Sequence, residues 1–402
     1  MKYVFFHLVF ILLLFGAYRL VSDKPFMPAE VELSVFDADH YISIKDTGYH
    51  FNPSRQSNVA FFPAFPYLWK ITGLNATGIS LLNIVIFSLS FSILARKFSF
   101  TWQEQLLLLS VPSMFFMYVP YSEALFFALC VLLLLSLEKS NNPVTVAGGF
   151  FLTSITRSAA NIFLPAILLT EWIDNRFRKW QNIIFYSLAC LAGIALVAYI
   201  QYWQTGYAFG FIQTQQYWEH KLQWPKLRFT SWGQYVWLDA AAFLFGVICM
   251  YISAEIVLKF RRNFNDFTKS KALVFSVLCI AGLTFLSLIM KGGSFFSLNR
   301  YIFPSAFFCI AFVFMLRLAR AGFKTLGYIF LVLVLFFTLF HFFVHISLIL
   351  KYIILSLYLC MYFLLNHKNA GLSKSIFWLL YICNCILQVY LANEFLDEEW
   401  VG

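Results

Sequence analysis

Apolar runs long enough to cross a bilayer recur along the whole chain, separated by short polar breaks. About twenty residues suffice for a crossing, because about 30 Å of hydrocarbon is covered at 1.5 Å per helical residue. To within a few residues, such runs occupy 3–22, 76–95, 103–119, 121–137, 180–204, 233–258, 272–290, 301–317, 325–347, 349–366 and 374–393. The first has a short basic lead at Lys2 but no small-x-small cleavage site, so it reads as an uncleaved span rather than a signal peptide. The predicted fold is all-α, a polytopic transmembrane helix bundle of about 11–13 membrane helices.

Residues 143–173 fit no single crossing. The breaks on either side, 138–142 and 174–179, both belong on the cytoplasmic side, so this stretch must enter the membrane and return. Two half-length helices of roughly 20 Å each meet that need. Gly148 and Gly149 precede the turn, and Arg157 sits near its apex. A polar-tipped hairpin of this kind survives in a membrane only where protein or a water-filled cavity surrounds it.

Charge sets the orientation. With the N-terminus inside, the cytoplasmic breaks receive Arg96, Lys97, Lys139, Arg176, Arg178, Lys179, Lys259, Arg261, Arg262, Lys269, Lys271, Arg317, Arg320, Lys324, Lys368 and Lys374. Only Glu104, Glu138, Glu171, Asp174, Glu255 and Asp266 accompany them, and the other acids fall outside, where the two signs nearly balance. This is the positive-inside pattern. Two outer loops, 23–75 and 205–232, exceed simple turns, and 291–300 is short but polar, so chemistry is expected there.

Composition agrees with the hydropathy. The chain is 61% hydrophobic and 12% charged, with a mean hydropathy of +0.75. Soluble proteins carry about 45–50% apolar and about 25% charged residues. That difference excludes a soluble enzyme and a disordered chain. The net charge of +10 does not signal a nucleic-acid partner, because the excess cations sit in cytoplasmic loops. Cys130, Cys190, Cys249, Cys279, Cys309, Cys360, Cys383 and Cys385 all lie inside apolar stretches and read as small hydrophobes.

The first outer loop mixes acids (Asp37, Asp39, Asp46) with aromatic residues (Phe36, Tyr41, Tyr49, Phe61, Phe62, Phe65, Tyr67, Trp69). Aromatic side chains suit the bilayer interface. Acids held against such a surface lose hydration, which makes them stronger bases, whereas ordinary loop carboxylates are solvated and structural. Asp37 and Asp39 are two apart, so on a helix only one of them faces a pocket, and Asp37 shares its face with His40 and Tyr41. Arg157 is the other anomaly, since an arginine at membrane depth costs about 2.5–3.5 kcal/mol or more. It suits either an ion pair within the bundle or an anion site, for which a guanidinium matches phosphate geometry. Tyr121-Ser122-Glu123 begins a span, Gln215 and Trp218 lie in a loop suited to hydrogen bonding and stacking a sugar, and Lys291, Arg300 and Tyr301 add cations and an aromatic ring at the outer side. Several such cations beside an acidic loop point to a negatively charged ligand at the membrane surface, such as a lipid phosphate. No phosphate-cradling GxxxxGK[ST] loop is present. His341 and His345 have helical metal-ligand spacing but no third ligand nearby, so no metal and no cofactor is expected.

In order, these pieces resemble the GT-C class of integral-membrane glycosyltransferases. Within it they are most similar to the PIG-V family, which transfers the second mannose of GPI anchors, and to its bacterial relatives. The likeness rests on Phe36-Asp37-Ala38-Asp39-His40-Tyr41, Gly48-Tyr49 and Asn58 to Pro66, then Pro120 to Glu123, Thr156-Arg157-Ser158, Gln215 to Trp218, and Arg300-Tyr301 with Pro304. Phe36 stands where the family has Trp, Lys45 where it has a small residue, and Ala159-Ala160 where it often has Asn-Gly.

The resemblance implies sugar transfer, with mannose the expected sugar, from a polyprenyl-phosphate donor to a hydroxyl of a glycan or lipid-linked acceptor. The reaction lies on the extracytoplasmic face and inverts the anomeric carbon. It implies Asp37 as general base and Arg157 and Arg300 as ligands of the lipid phosphate. Asp39, His40, Tyr41, Tyr49, Glu123, Gln215, Trp218 and Tyr301 are then the candidate substrate-binding residues. Residues 1–324 form the expected GT-C-like catalytic module and 325–402 a set of C-terminal transmembrane helices of unassigned role. A bacterial plasma membrane is the expected location, or the endoplasmic reticulum for a eukaryotic host. The competing reading is a transporter or flippase of lipid-linked sugars, which also uses intramembrane charge and broken helices but needs no base.

Overall fold

A computed structural model gives the architecture, and it describes all residues except 140–141, 159, 176–179, 219–220, 227–234, 259–269, 320, 340–345 and 402. Among the described residues the protein is helical, without a strand. Six helices are long and apolar enough to cross a membrane: α1 (Lys2–Val21), α5 (Ala76–Lys97), α10 (Trp180–Thr205), α12 (Val236–Leu258), α13 (Lys271–Met290) and α18 (Ala370–Leu396). The first outer loop is itself folded, into α2 (Glu30–Leu33), α3 (Asp37–Thr47) and α4 (Ala64–Thr72). His341 and His345 lie outside the described residues, as do Arg176, Arg178, Lys179, Lys259, Arg261, Arg262, Lys269 and Arg320.

The remaining expected spans are shorter than these or interrupted. The expected span 103–119 is a helix, α6 (Trp102–Leu109), followed by a 3-10 segment, Pro112–Met117. Pro112 ends α6 because it offers no N–H, which frees backbone carbonyls in the interior. Gln388 of α18 donates to the Leu109 and Val111 carbonyls, and Asn384, one turn earlier, donates to Ser110 Oγ. Helix α18 also packs on α1 and on the 3-10 segment, so it braces the module rather than standing apart from it beyond residue 324. Between these lie α7 (Glu123–Lys139), the short α11 (Gly210–Gln213), α14 (Leu298–Ile302), α15 (Ala306–Leu318), α16 (Phe323–Leu339) and α17 (Ile346–Leu364).

The hairpin expected at 143–173 is present as α8 (Pro143–Ser154) and α9 (Ala160–Asn175). Asn142 caps α8 by accepting from Val144 N–H, and Pro143 occupies its first turn. Protein surrounds it: α8 packs against α7 and α10, and α9 against α10 and α13. Two glycines permit that closeness. A Cβ at Gly149 would lie 3.2 Å from the Leu133 backbone, and one at Gly193 would lie 2.8 Å from Ser154 Cβ.

Polar contacts between helix ends sort themselves into two groups that match the orientation set by charge. Arg317 with Glu104, Lys271 with Glu171, and Ser270 with Glu138 join the ends assigned to the cytoplasm. Lys24 with Asp397, Tyr235 with Glu394, and Arg300 with Asp37 join the opposite ends.

Candidate functional site

Four charges from four distant parts of the sequence meet at the outer end. Arg300 Nε donates to Glu123 Oε1 at 2.7 Å, and its Nη2 lies 2.5 Å from Asp37 Oδ2. Arg157 Nη1 reaches the same Glu123 oxygen at 2.9 Å. Glu123 is fully buried, and its Oε2 atom has no hydrogen-bond partner among the described residues. The Arg157 side chain is 22% exposed against 4% for Arg300.

Local structure explains each placement. Asp37 is the first residue of α3, where the positive end of the helix favours a carboxylate. Its N–H donates to Tyr121 Oη at 3.2 Å. Phe36 before it has φ 55°, unusual for a bulky residue and maintained only where surrounding contacts impose it. Asn83, buried on α5, donates to the Val119 and Tyr121 carbonyls and so holds the turn that delivers Glu123. Arg157 projects from the hairpin apex, which is tied to the first outer loop by Ala64 N–H donating to the Ile155 carbonyl. Arg300 sits in α14, fixed through its neighbour: Asn299 donates twice to Asp239 Oδ1 and accepts from Ser113 Oγ.

Aromatic rings frame the cluster. Tyr301 lies between two cations, with Arg157 at 5.8 Å and Lys291 at 5.6 Å from its ring centre. Arg300 faces the rings of Tyr121 at 4.6 Å, Phe116 at 5.2 Å and Trp400 at 5.5 Å. One turn along α3, His40 stacks on Phe61 at 4.7 Å and meets Trp218 edge-on at 5.7 Å. The Trp218 Nε1 atom is buried without a partner. Burial holds the His40 imidazole below its usual range, against the opposing pull of the Asp37 and Asp39 carboxylates. Tyr41, on the same face, donates to Ser122 Oγ at 2.8 Å.

The structure thus brings together Asp37, Glu123, Arg157, Arg300 and Tyr301, with His40, Tyr41 and Trp218 close by. Asp39 points away, exposed, with no partner among the described residues. Tyr49 sits at the far end of α3, buried, its hydroxyl donating to the Phe61 carbonyl, and so fastens the loop rather than joining the cluster. Gln215 donates to the Phe211 carbonyl within its own segment. Asp37 is not left in an apolar surround, as its loop suggests; Arg300 covers it. Asp239 and Trp400 were not among the candidates. Asp239 is a lone acid at the mouth of an apolar helix, a signal available in the sequence, whereas nothing around Trp400 marks it.

The chain matches no family model, no curated protein and no solved structure.

Proposed function

We propose that the protein is a membrane glycosyltransferase that moves a sugar from a polyprenyl-phosphate donor to an acceptor hydroxyl on the extracytoplasmic face. The observation that carries this reading is the convergence of Arg157, Lys291 and Arg300 on a site where, among the described residues, the paired acids are Asp37 and Glu123. Cations outnumber these acids by one, and guanidinium forks suit the oxygens of a lipid phosphate.

In the proposed reaction the acceptor hydroxyl oxygen attacks the anomeric carbon. The bond from that carbon to the phosphate oxygen breaks, and its electron pair leaves with the lipid phosphate. The hydroxyl proton passes to Asp37, which must first give up part of its contact with Arg300. Arg300, freed toward the phosphate, compensates the charge that develops there. Attack opposite the leaving group inverts the anomeric centre. The His40, Phe61 and Trp218 rings form a wall suited to the apolar face of a pyranose. The likeness to PIG-V-type enzymes supports mannose as the sugar, and the compact chain fits a bacterial plasma membrane.

The test is transfer of labelled sugar from a synthetic polyprenyl-phosphate mannose in membranes holding equal amounts of wild type or Asp37→Asn. The expected result is transfer by wild type and a loss of about 10²–10⁴-fold in the variant. Full transfer by the variant refutes the base. Movement of the lipid-linked sugar between leaflets, without transfer, supports the transporter reading instead.

A further inference from the structure

We propose that Trp400 is a positioning residue for Arg300, and that the segment 397–401, which follows α18, is a strap completing the anion site. The inference rests on the reading of Arg300 as a phosphate ligand. Two of the three rings facing the Arg300 guanidinium, Phe116 and Tyr121, come from the buried segment that precedes α7. The third is supplied by no helix. Trp400 arrives on a short irregular segment, with Val401 beyond it buried and Asp397 before it paired with Lys24.

Trp400 also touches the two residues that lead into the ion pair. Its ring meets Phe36 at 5.0 Å and 72°, and its Nε1 donates to Ser297 Oγ at 3.3 Å. Phe36 immediately precedes Asp37, and Ser297 is the residue before α14, which carries Arg300. Both hold positive φ, 55° and 67°, a conformation that non-glycine residues keep only under the constraint of their neighbours. One indole therefore contacts the constrained entry to each helix and the cation that links them. Closing this side keeps water from the guanidinium, and excluding water strengthens its attraction for an anion. An anion that draws Arg300 away from Asp37 also changes the ring's surroundings, because the cation moves across its face.

The experiment titrates a short-chain polyprenyl monophosphate, carrying no sugar, into the purified full-length protein in detergent micelles. Trp400→Ala is expected to weaken binding about tenfold and Trp400→Phe to retain most of it, since a ring face remains. In protein labelled with 5-fluorotryptophan, the resonance lost in Trp400→Phe is expected to shift as the lipid is added to wild type. Unchanged binding by Trp400→Ala with an unmoved resonance, while Arg300→Gln loses binding, overturns the strap and leaves the anion site standing. Wild-type binding by Arg300→Gln overturns the anion site, and the strap with it. Should Trp400→Ala fail to fold, the fluorine shift in wild type decides by itself.

Discussion

The two ends of the bundle are built from the same residue types to opposite effect. At the inner end the Glu104 contact is closed. Glu104 accepts from Arg317 through both of its oxygens, at 2.7 and 2.9 Å, and caps Thr101 as well. The Arg317 side chain is 47% exposed, and its Nη2 also donates to the Ser99 carbonyl. At the outer end one oxygen of Glu123 receives two guanidinium groups, while its second oxygen is buried and has no partner among the described residues. Glu104 and Glu171 of the inner pairs are also buried, and Glu104 is matched by a donor at each of its oxygens. The outer cluster holds charge away from water with capacity left over, an arrangement that stability alone does not favour. Open valence, rather than burial or the number of charges, separates a clasp from a site.

Removing the shared acid should have the largest effect. Glu123→Ala leaves Arg157 without its carboxylate and Arg300 with Asp37 alone, and the expected loss is about 3–5 kcal/mol. Thermal unfolding in detergent checks it, and a second substitution, Arg157→Gln, should restore part of the loss. The hairpin comes next. A side chain at Gly193 meets Ser154 Cβ at 2.8 Å and the Phe151 carbonyl at 2.9 Å, so Gly193→Leu should cost about 1–3 kcal/mol. Because the hairpin carries Arg157, the same variant should also weaken binding of a lipid phosphate. The inner end supplies the contrast: Glu104→Gln should cost less than Glu123→Ala and leave that binding unchanged.

The smallest effect expected is a pH dependence. Burial lowers the His40 pKa, so between that lowered value and the ordinary 6.5 the unfolded chain takes up a proton that the folded one refuses. The stabilising contribution is complete above pH 6.5 and is lost as pH falls through the folded pKa. Melting temperatures measured downward from pH 7 should fall less steeply in His40→Phe than in wild type.

Much of this was legible in the chain. Apolar length located the crossings, and the conflict between charge and length at 143–173 revealed the hairpin before any coordinates. The i, i+3 and i, i+4 spacing from Asp37 to His40 and Tyr41 put them on one face and Asp39 on another, as α3 bears out. Arg157, Glu123 and Arg300 stood out because charge at membrane depth is costly. What stayed hidden depends on contacts between remote segments. Tyr49 looks like its neighbours in the loop, and only its bond to the Phe61 carbonyl gives it a fastening role. Gln388 and Asn384 read as stray polar residues in the last crossing until the break at Pro112 supplies carbonyls and a hydroxyl for them. Trp400 follows a run of acids, and no periodicity links it to Arg300.

The central claim is that Arg300 exchanges Asp37 for a phosphate. The most direct measurement is the affinity of a sugar-free polyprenyl monophosphate for purified wild type and Asp37→Asn. The account predicts that the variant, although inactive in transfer, binds the lipid at least as tightly, because the competing carboxylate is gone. Markedly weaker binding by Asp37→Asn would contradict it, since Asp37 would then be holding the anion site together rather than competing for it.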